Sequence, residues 1–393
     1  MKFKNKNYVM QDVVQNIVSS LHNPAAGTTY SVRQLCAATA NSGYNINLLA
    51  LAHPETQESV PPEPGVQIFE FPVIASFGKT FRRLGYSREM FNYCKNHPPQ
   101  LLHLHGLWML PNITPGLMAI KRLTPYMISP HGMLGKEALR FSSRKKRIML
   151  ALGQQKVLSS AKCFRATALT EVEEIRALGL RQPIALIPNG MHLPEGAWQK
   201  TGEKYILSLG RVHPKKGLAN LIRAWAKQAN AFPDWTLRIV GPDEVGHKEE
   251  LSQLVTQIAV PRVTIEDPVF GDAKWSLMAA AGLFVLPTLN ENFANTVPES
   301  LIVGVPVISS KGAPWLGLED HRCGWWIDGD VDSLSATLGQ AMALSDEERA
   351  VMGLRGREWI IRDFAWPSIG QRMEAVYDWM LGKGSATDDI IFD

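Results

Sequence analysis

Residues 283–310 read LFVLPTLNENFANTVPESLIVGVPVISS. LFVLP (283–287) is an apolar run of strand length, and PVIS (306–309) is another. Between them lies a polar loop, then Pro298, which suits the first position of a helix because its missing N–H would be unpaired there anyway. Gly304 stops that helix before the second strand. A strand, a short helix and a strand in succession describe a parallel sheet covered by helices. Two carboxylates frame the turn. Glu291 stands on the loop and Glu299 in the first helical turn, so they cannot share a helix face, but they can flank one ligand against the helix start. The amides around Asn295, Thr296 and Val297 suit a phosphate, and a carboxylate accepting two hydrogen bonds suits a ribose diol. Open parallel sheets bind ligands at the carboxyl ends of their strands, where this loop lies. Spacing alone leaves the bland alternative open: Glu299 complements the helix dipole and Glu291 faces solvent.

The same rhythm extends outward through the second half. YILSLG (205–210), TLRIVG (236–241), RVTIED (262–267) and GWWID (324–328) read as strands, with a helix from about Leu218. The first half repeats it with VVQNIVSSL (13–21), INLLAL (46–51), VQIFEF (66–71), LLHLHGL (101–107) and YMISP (126–130). TTYSVRQLCAATANSG carries helical spacing and ends at Gly43. Thr170 and Glu173 are placed as a capping box for a helix that follows. Strand–helix alternation twice over predicts an α/β protein of two Rossmann-like domains. The Pro/Gly-rich connector at 188–204 sets the boundary, giving domains 1–195 and 196–365. Residues 366–381 read as a terminal amphipathic helix, and 382–393 as a loose tail.

Composition narrows the class. The chain has 393 residues, 45% hydrophobic and 20% charged, enough for large cores. No apolar run reaches the ~18 residues of a membrane span, and MKFKNKNYVM lacks the apolar stretch of a signal peptide. Four scattered cysteines argue against a disulfide framework or a thiolate metal site, and a reducing cytoplasm is the expected location. The net charge of +4 hides an asymmetry: 22 Lys+Arg against 10 Asp+Glu through Gly190 (net +12), and 19 against 27 beyond it (net −8). Arg144, Lys145, Lys146 and Arg147 stand in a row among Ile148, Met149, Leu150, Leu152, Val157 and Leu158. This reads either as a solvated helix face or as a surface for an anionic bilayer or a lipid diphosphate.

ENFANTVPESLIVGVPVIS resembles the E-x7-E signature of glycosyltransferase family 4, retaining nucleotide-sugar-dependent enzymes of the GT-B fold. NPAAGTTYSVRQLCAATANSGYNINLLAL, SPHGML, IPNGMHLP, SLGRVHPKKGLANLIRAW, KGAPWLGLEDHRCGWWID and FAWPSIGQRM match in the same order, so the resemblance covers nearly the whole chain. It implies two domains facing each other across a cleft, with the C-terminal helix crossing back to the first. It implies Glu299 on the ribose, Glu291 by the transferred sugar, and Arg211 and Lys216 on the diphosphate. Lys215 is expected to point outward. It further implies His131 beside the donor sugar, Gly27 where bare backbone lets the diphosphate approach, and Gly241 at the nucleotide base. No metal or cofactor is implied, only a UDP- or GDP-sugar. The acceptor expected is a lipid-linked saccharide of bacterial surface polysaccharide synthesis, such as O-antigen, with peripheral contact at the inner face of the membrane. Rival readings are a nucleotide-sugar epimerase or phosphorylase on the same fold, and a non-catalytic sugar-nucleotide-binding partner.

Other signals carry less. His103 and His105 lack an Asp, Glu or Cys partner at ligand spacing, so a metal site is not expected. Trp108 either walls the acceptor cleft or packs. Asp330 in DGD precedes a helical run and reads as a helix cap. No G-x-G-x-x-G opens either domain and no phosphate-loop motif occurs, which counts against nicotinamide and P-loop chemistry. No aromatic-interleaved nucleic-acid module accompanies the basic half.

Overall fold

The structure is a computed structural model. It describes residues 12–21, 27–52, 63–74, 84–140, 143–194, 196, 203–291 and 293–393, with the side chains of 27, 137, 143 and 144 left out. It divides into two compact units, Met1–Gly190 with Trp366–Asp393, and Met191–Ala365. The boundary thus falls a few residues before the expected 195, and the terminal helix belongs to the first unit.

The first unit holds strands β1 (Val13–Ser20), β2 (Asn45–Ala52), β3 (Val66–Pro72), β4 (Leu101–His105), β5 (Tyr126–Ser129), β6 (Cys163–Ala166) and β7 (Ile184–Leu186). The second holds β8 (Tyr205–Leu209), β9 (Thr236–Val240), β10 (Val263–Glu266), β11 (Leu283–Leu286), β12 (Val307–Ser310) and β13 (Gly324–Ile327). The last strand, β14 (Ile390–Ile391), returns to the first unit. The sheet orders are β14-β7-β6-β5-β4-β1-β2-β3 and β10-β9-β8-β11-β12-β13. Among the described residues every strand pairing is parallel except β14 with β7. β5, β11 and β12 have no exposed position: β11 is a continuous apolar run, as a strand buried on both faces favours, whereas β5 and β12 also bury Ser129, Ser309 and Ser310.

Each sheet is covered on both faces. In the first unit, helix Gly27–Asn41 and helix Trp366–Leu381 share one apolar cluster, with Leu35, Ile369, Met373 and Tyr377 inside it. The other face buries Met90, Val157 and Ile175. In the second unit, Leu221, Trp225 and Leu338 fill one face and Val297, Leu301 and Ile360 the other.

Several expectations are corrected. The tail is not loose at its end: β14 pairs with β7, Asp389 is held by Arg372, and Asp393 pairs with Arg181. Thr170 and Glu173 do not cap. The helix Leu169–Ala177 has Ala168 at its N-cap with no side-chain cap, because Glu171 reaches back instead, accepting from Thr167 N at 2.8 Å and Gly132 N at 2.8 Å. Pro298 is the third residue of helix Thr296–Ile302 rather than the first, still within the turn whose amides lack helical partners. Asp330 does cap, accepting from the amides of Asp332 and Ser333 at 2.9 Å.

Candidate functional site

In the second unit, the loops after β8 and β11 are stitched together by backbone. Leu289 N donates to Lys215 O at 2.8 Å, and Glu291 N donates to Gly312 O at 2.7 Å. The 3-10 turn Pro214–Lys216 ends at Gly217, whose φ is 65° and whose hypothetical Cβ would overlap the Pro287 carbonyl. Glycine is therefore required for Lys216 to sit beside the β11 loop. There the Lys216 ammonium pairs with Glu291, both side chains mostly shielded. Lys215 is exposed and contributes its carbonyl.

Glu299 lies 25 residues from its partner. Lys274, on helix Gly271–Ala280, donates to Glu299 Oε1 at 2.6 Å and sits over the Trp275 ring. Burial raises the Glu299 pKa, and the Lys274 ammonium opposes that rise. The second oxygen, Oε2, is buried and has no hydrogen-bond partner among the described residues. A carboxylate oxygen buried without a donor costs free energy, so an incoming hydroxyl would find it ready. The loop leading into its helix is braced by aromatics: Trp315 Nε1 donates to Phe293 O at 2.5 Å, and Phe293 packs on Trp315 and Phe364. Val297 N and Glu299 N are satisfied by Ala294 O and Asn295 O, and Pro298 has no N–H, so Asn295 and Thr296 supply the remaining amides of that turn. Val297 itself is core.

Arg211 is exposed and bonds both oxygens of Glu244 at 3.0 Å. Such a rim pair is worth little, so Arg211 is easily redirected. Gly241 has a requirement from the backbone itself. A Cβ there would overlap the Gly210 carbonyl, so the close approach of the β8 and β9 exits already demands glycine.

In the first unit, His131 follows β5 with φ 54°, the left-handed region that a non-glycine residue seldom occupies. Its Nε2 is 3.2 Å from His105 Nδ1, and His105 Nε2 is 2.9 Å from Asn16 Oδ1. His103 lies between Ser129 Oγ and Tyr377 OH, each 2.7 Å away. Burial, then the nearby Arg165, lowers the His131 pKa to about 3, and His103 and His105 also lie well below the usual value. Among the described residues no group of three or more metal-ligating side chains is assembled.

Gly27 opens its helix, and the preceding Ala26 lies outside the described residues. Trp108 is half-buried with φ 69°. The basic row does not form one outward face. Successive helical residues point about 100° apart, so Lys145 and Arg147 are exposed while Lys146 turns inward, donating to Ala138 O and lying 5.5 Å over the Trp108 ring. The Arg144 side chain lies outside the described set. Of the apolar residues there, Ile148 and Leu152 are exposed, but Met149, Val157 and Leu158 are core.

Sequence reasoning missed Lys274, Glu244, Asn16 and the linkage of His105 to His131. None carries a local motif; each is brought in by strand order or by a neighbouring helix.

Two family profiles match this arrangement. "Glycosyl transferase 4-like domain" spans residues 26–190, and "Glycosyl transferases group 1" spans 195–359. The chain belongs to the family-4 type of GT-B glycosyltransferases. An uncharacterized glycosyltransferase of Haemophilus influenzae is 26% identical to this GT-B chain over 190 residues, covering 47% of it and 52% of the relative. A GDP-mannose-dependent alpha-(1-6)-phosphatidylinositol monomannoside mannosyltransferase of Mycolicibacterium smegmatis is 28% identical over 179 residues, covering 43% of this chain and 46% of that protein. The chain spans about half the length of the curated relatives it matches. The fold is shared with Anabaena HepE, crystallised in complex with UDP, at TM-score 0.68 and 16% identity over 94% of this chain and 100% of that one.

Proposed function

We propose that this chain moves a sugar from a UDP- or GDP-sugar to a hydroxyl of a glycan acceptor, with retention at the anomeric carbon and without a metal. The observation that carries the reading is Glu299 Oε2, a buried carboxylate oxygen with no donor among the described residues, on the helix that follows the loop bringing Glu291 to Lys216. In this reading Glu299 takes the ribose hydroxyls. Lys216 and Arg211 neutralise the diphosphate as it leaves, aided by the amides of Asn295 and Thr296. Glu291 holds Lys216 in place and receives a hydroxyl of the transferred sugar; in the first unit, His131 offers a hydrogen bond to a ligand hydroxyl. The bond from the anomeric carbon to the diphosphate breaks, the acceptor oxygen bonds on the same face, and its proton passes to the leaving phosphate oxygen. A relative named for GDP-mannose and a fold neighbour holding UDP support a nucleotide donor.

The acceptor proposed is lipid-linked, as in bacterial surface polysaccharide synthesis. Exposed Lys145, Arg147, Ile148 and Leu152 offer a cationic, partly apolar contact for an anionic leaflet. Among the described residues no helix is long and apolar enough to cross a membrane.

Thermal shift with UDP and GDP tests the donor site. A ligand at a hundred times its Kd adds ~2.7 kcal/mol, a rise of several degrees. One nucleotide should stabilise the protein in the presence of a chelator. Lys216→Ala should abolish the shift, and Glu299→Gln, which keeps an oxygen for Lys274, should weaken it. No shift with either nucleotide would overturn the reading.

A further inference from the structure

The three histidines at the carboxyl ends of β4 and β5 are linked in a way the proposed reaction does not itself require. Asn16 on β1 is 1% exposed and His105 on β4 is 1% exposed, so neither has water to complete its hydrogen bonds. Asn16 turns Oδ1 toward His105 and leaves its buried Nδ2 without a partner among the described residues; in that orientation Oδ1 can only accept. His105 Nε2, 2.9 Å away, must therefore carry the proton. A neutral imidazole has one N–H, so His105 Nδ1 presents a lone pair. The atom facing that lone pair is His131 Nε2, at 3.2 Å, which must then be the donor. One amide oxygen thus sets the tautomer of two rings. His131 Nδ1 is then left with its lone pair and has no hydrogen-bond partner among the described residues.

The surroundings keep the rings neutral. Arg165, itself 1% exposed, is the nearby cation, and burial disfavours a second positive charge. His103 does not disturb the order. It stacks beside His105, with ring centroids 4.0 Å apart, but its own bonds go to Ser129 and Tyr377. Hydroxyls serve either tautomer, so His103 imposes no direction on its neighbour.

We propose that Asn16 and His105 are positioning residues that lock His131 as its Nε2–H tautomer, so that His131 Nδ1 meets the ligand as a hydrogen-bond acceptor for a hydroxyl. The ligand part rests on the reading above, but the tautomer does not. The same logic holds wherever a buried acceptor selects the working nitrogen of a histidine two bonds away.

The test is long-range 1H–15N correlation on the full chain labelled with 15N-histidine, at neutral pH and without ligand. Wild-type His131 should show an unprotonated Nδ1 and a protonated Nε2. Asn16→Leu, which removes the acceptor, should convert His131 to a mixture of tautomers, with the His103 signals unmoved as the internal control for folding. Asn16→Asp restores an acceptor at the same place and should restore the single Nε2–H form. A protonated Nδ1 on His131 in the wild type overturns the proposal by itself, whatever the variants do. An unchanged His131 in a folded Asn16→Leu protein also overturns it. Because no substrate enters these spectra, the outcome is separate from whether a nucleotide binds the second unit. If UDP or GDP does bind and turnover is found, Asn16→Leu should lower kcat about tenfold or more with KM little changed, and Asn16→Asp should recover it.

Discussion

Glu299 illustrates the tension within a single residue. Its carboxylate is buried, one oxygen is tied to Lys274 and the other is unsatisfied. Burial raises its pKa above the usual carboxylate value. A raised folded pKa means that the folded state binds the proton more tightly than the unfolded chain does. The stabilisation is complete below the unfolded pKa and is lost as pH rises through the folded one. Glu299→Gln keeps an oxygen for Lys274 and carries no charge. Its Tm should match the wild type near pH 4 and exceed it by a growing margin toward pH 8, while nucleotide binding falls. Calorimetry across that range measures the difference, and a Tm gap independent of pH would count against the assignment. Stability given up at a site to keep a reactive group ready is a common pattern. Glu299 and Glu291 were legible in the chain because the strand–loop–helix pattern placed them. Lys274 was not, since only the packing of helix Gly271–Ala280 brings it there.

At the scale of elements, β4 is the instructive case. LLHLH is buried at every position, although two of its five side chains are polar. The histidines are tolerated because β1, β5 and the C-terminal helix each supply a partner. Their pKa values fall well below 6.5, so the unfolded chain binds protons that the folded one refuses. Stability should therefore be complete above pH ~6.5 and decline as pH falls toward the folded values, which for His131 is about 3. Urea midpoints between pH 8 and 4 should show that decline, and His105→Asn should flatten it. The glycine that ends the Lys216 turn gives a second prediction. Gly217→Ala places a Cβ against the Pro287 carbonyl at φ 65°. It should cost more than ~1 kcal/mol and weaken nucleotide binding with it, because Lys216 moves. Denaturant titration with and without nucleotide separates the two effects.

The whole molecule is discontinuous in sequence. The first unit is completed by Trp366–Asp393, with Trp366, Ile369, Met373, Val376, Tyr377 and Met380 buried against it. At ~1.5–3 kcal/mol for each large side chain, those six contribute roughly 9–18 kcal/mol. That matches or exceeds the ~5–15 kcal/mol by which a domain is stable at all. A fragment of residues 1–190 should therefore fail to fold cooperatively, whereas 191–365 should give a cooperative melt. Circular dichroism melts of both fragments check this. A cooperative 1–190 fragment would show that the terminal helix is dispensable.

What the chain determined by itself is the alternation of strand and helix, the two sheets, the boundary region and the pair of glutamates, because periodicity and turn residues are local properties. What only the tertiary structure decided is who partners whom. Local pattern said that 366–381 is an amphipathic helix and that Lys146 is basic. It could not say that the C-terminal strand would join β7, that Lys146 would fold over Trp108, or that Asn16 would reach His105. Those contacts join residues far apart in sequence, and their free energy exists only once the sheet order has brought them together.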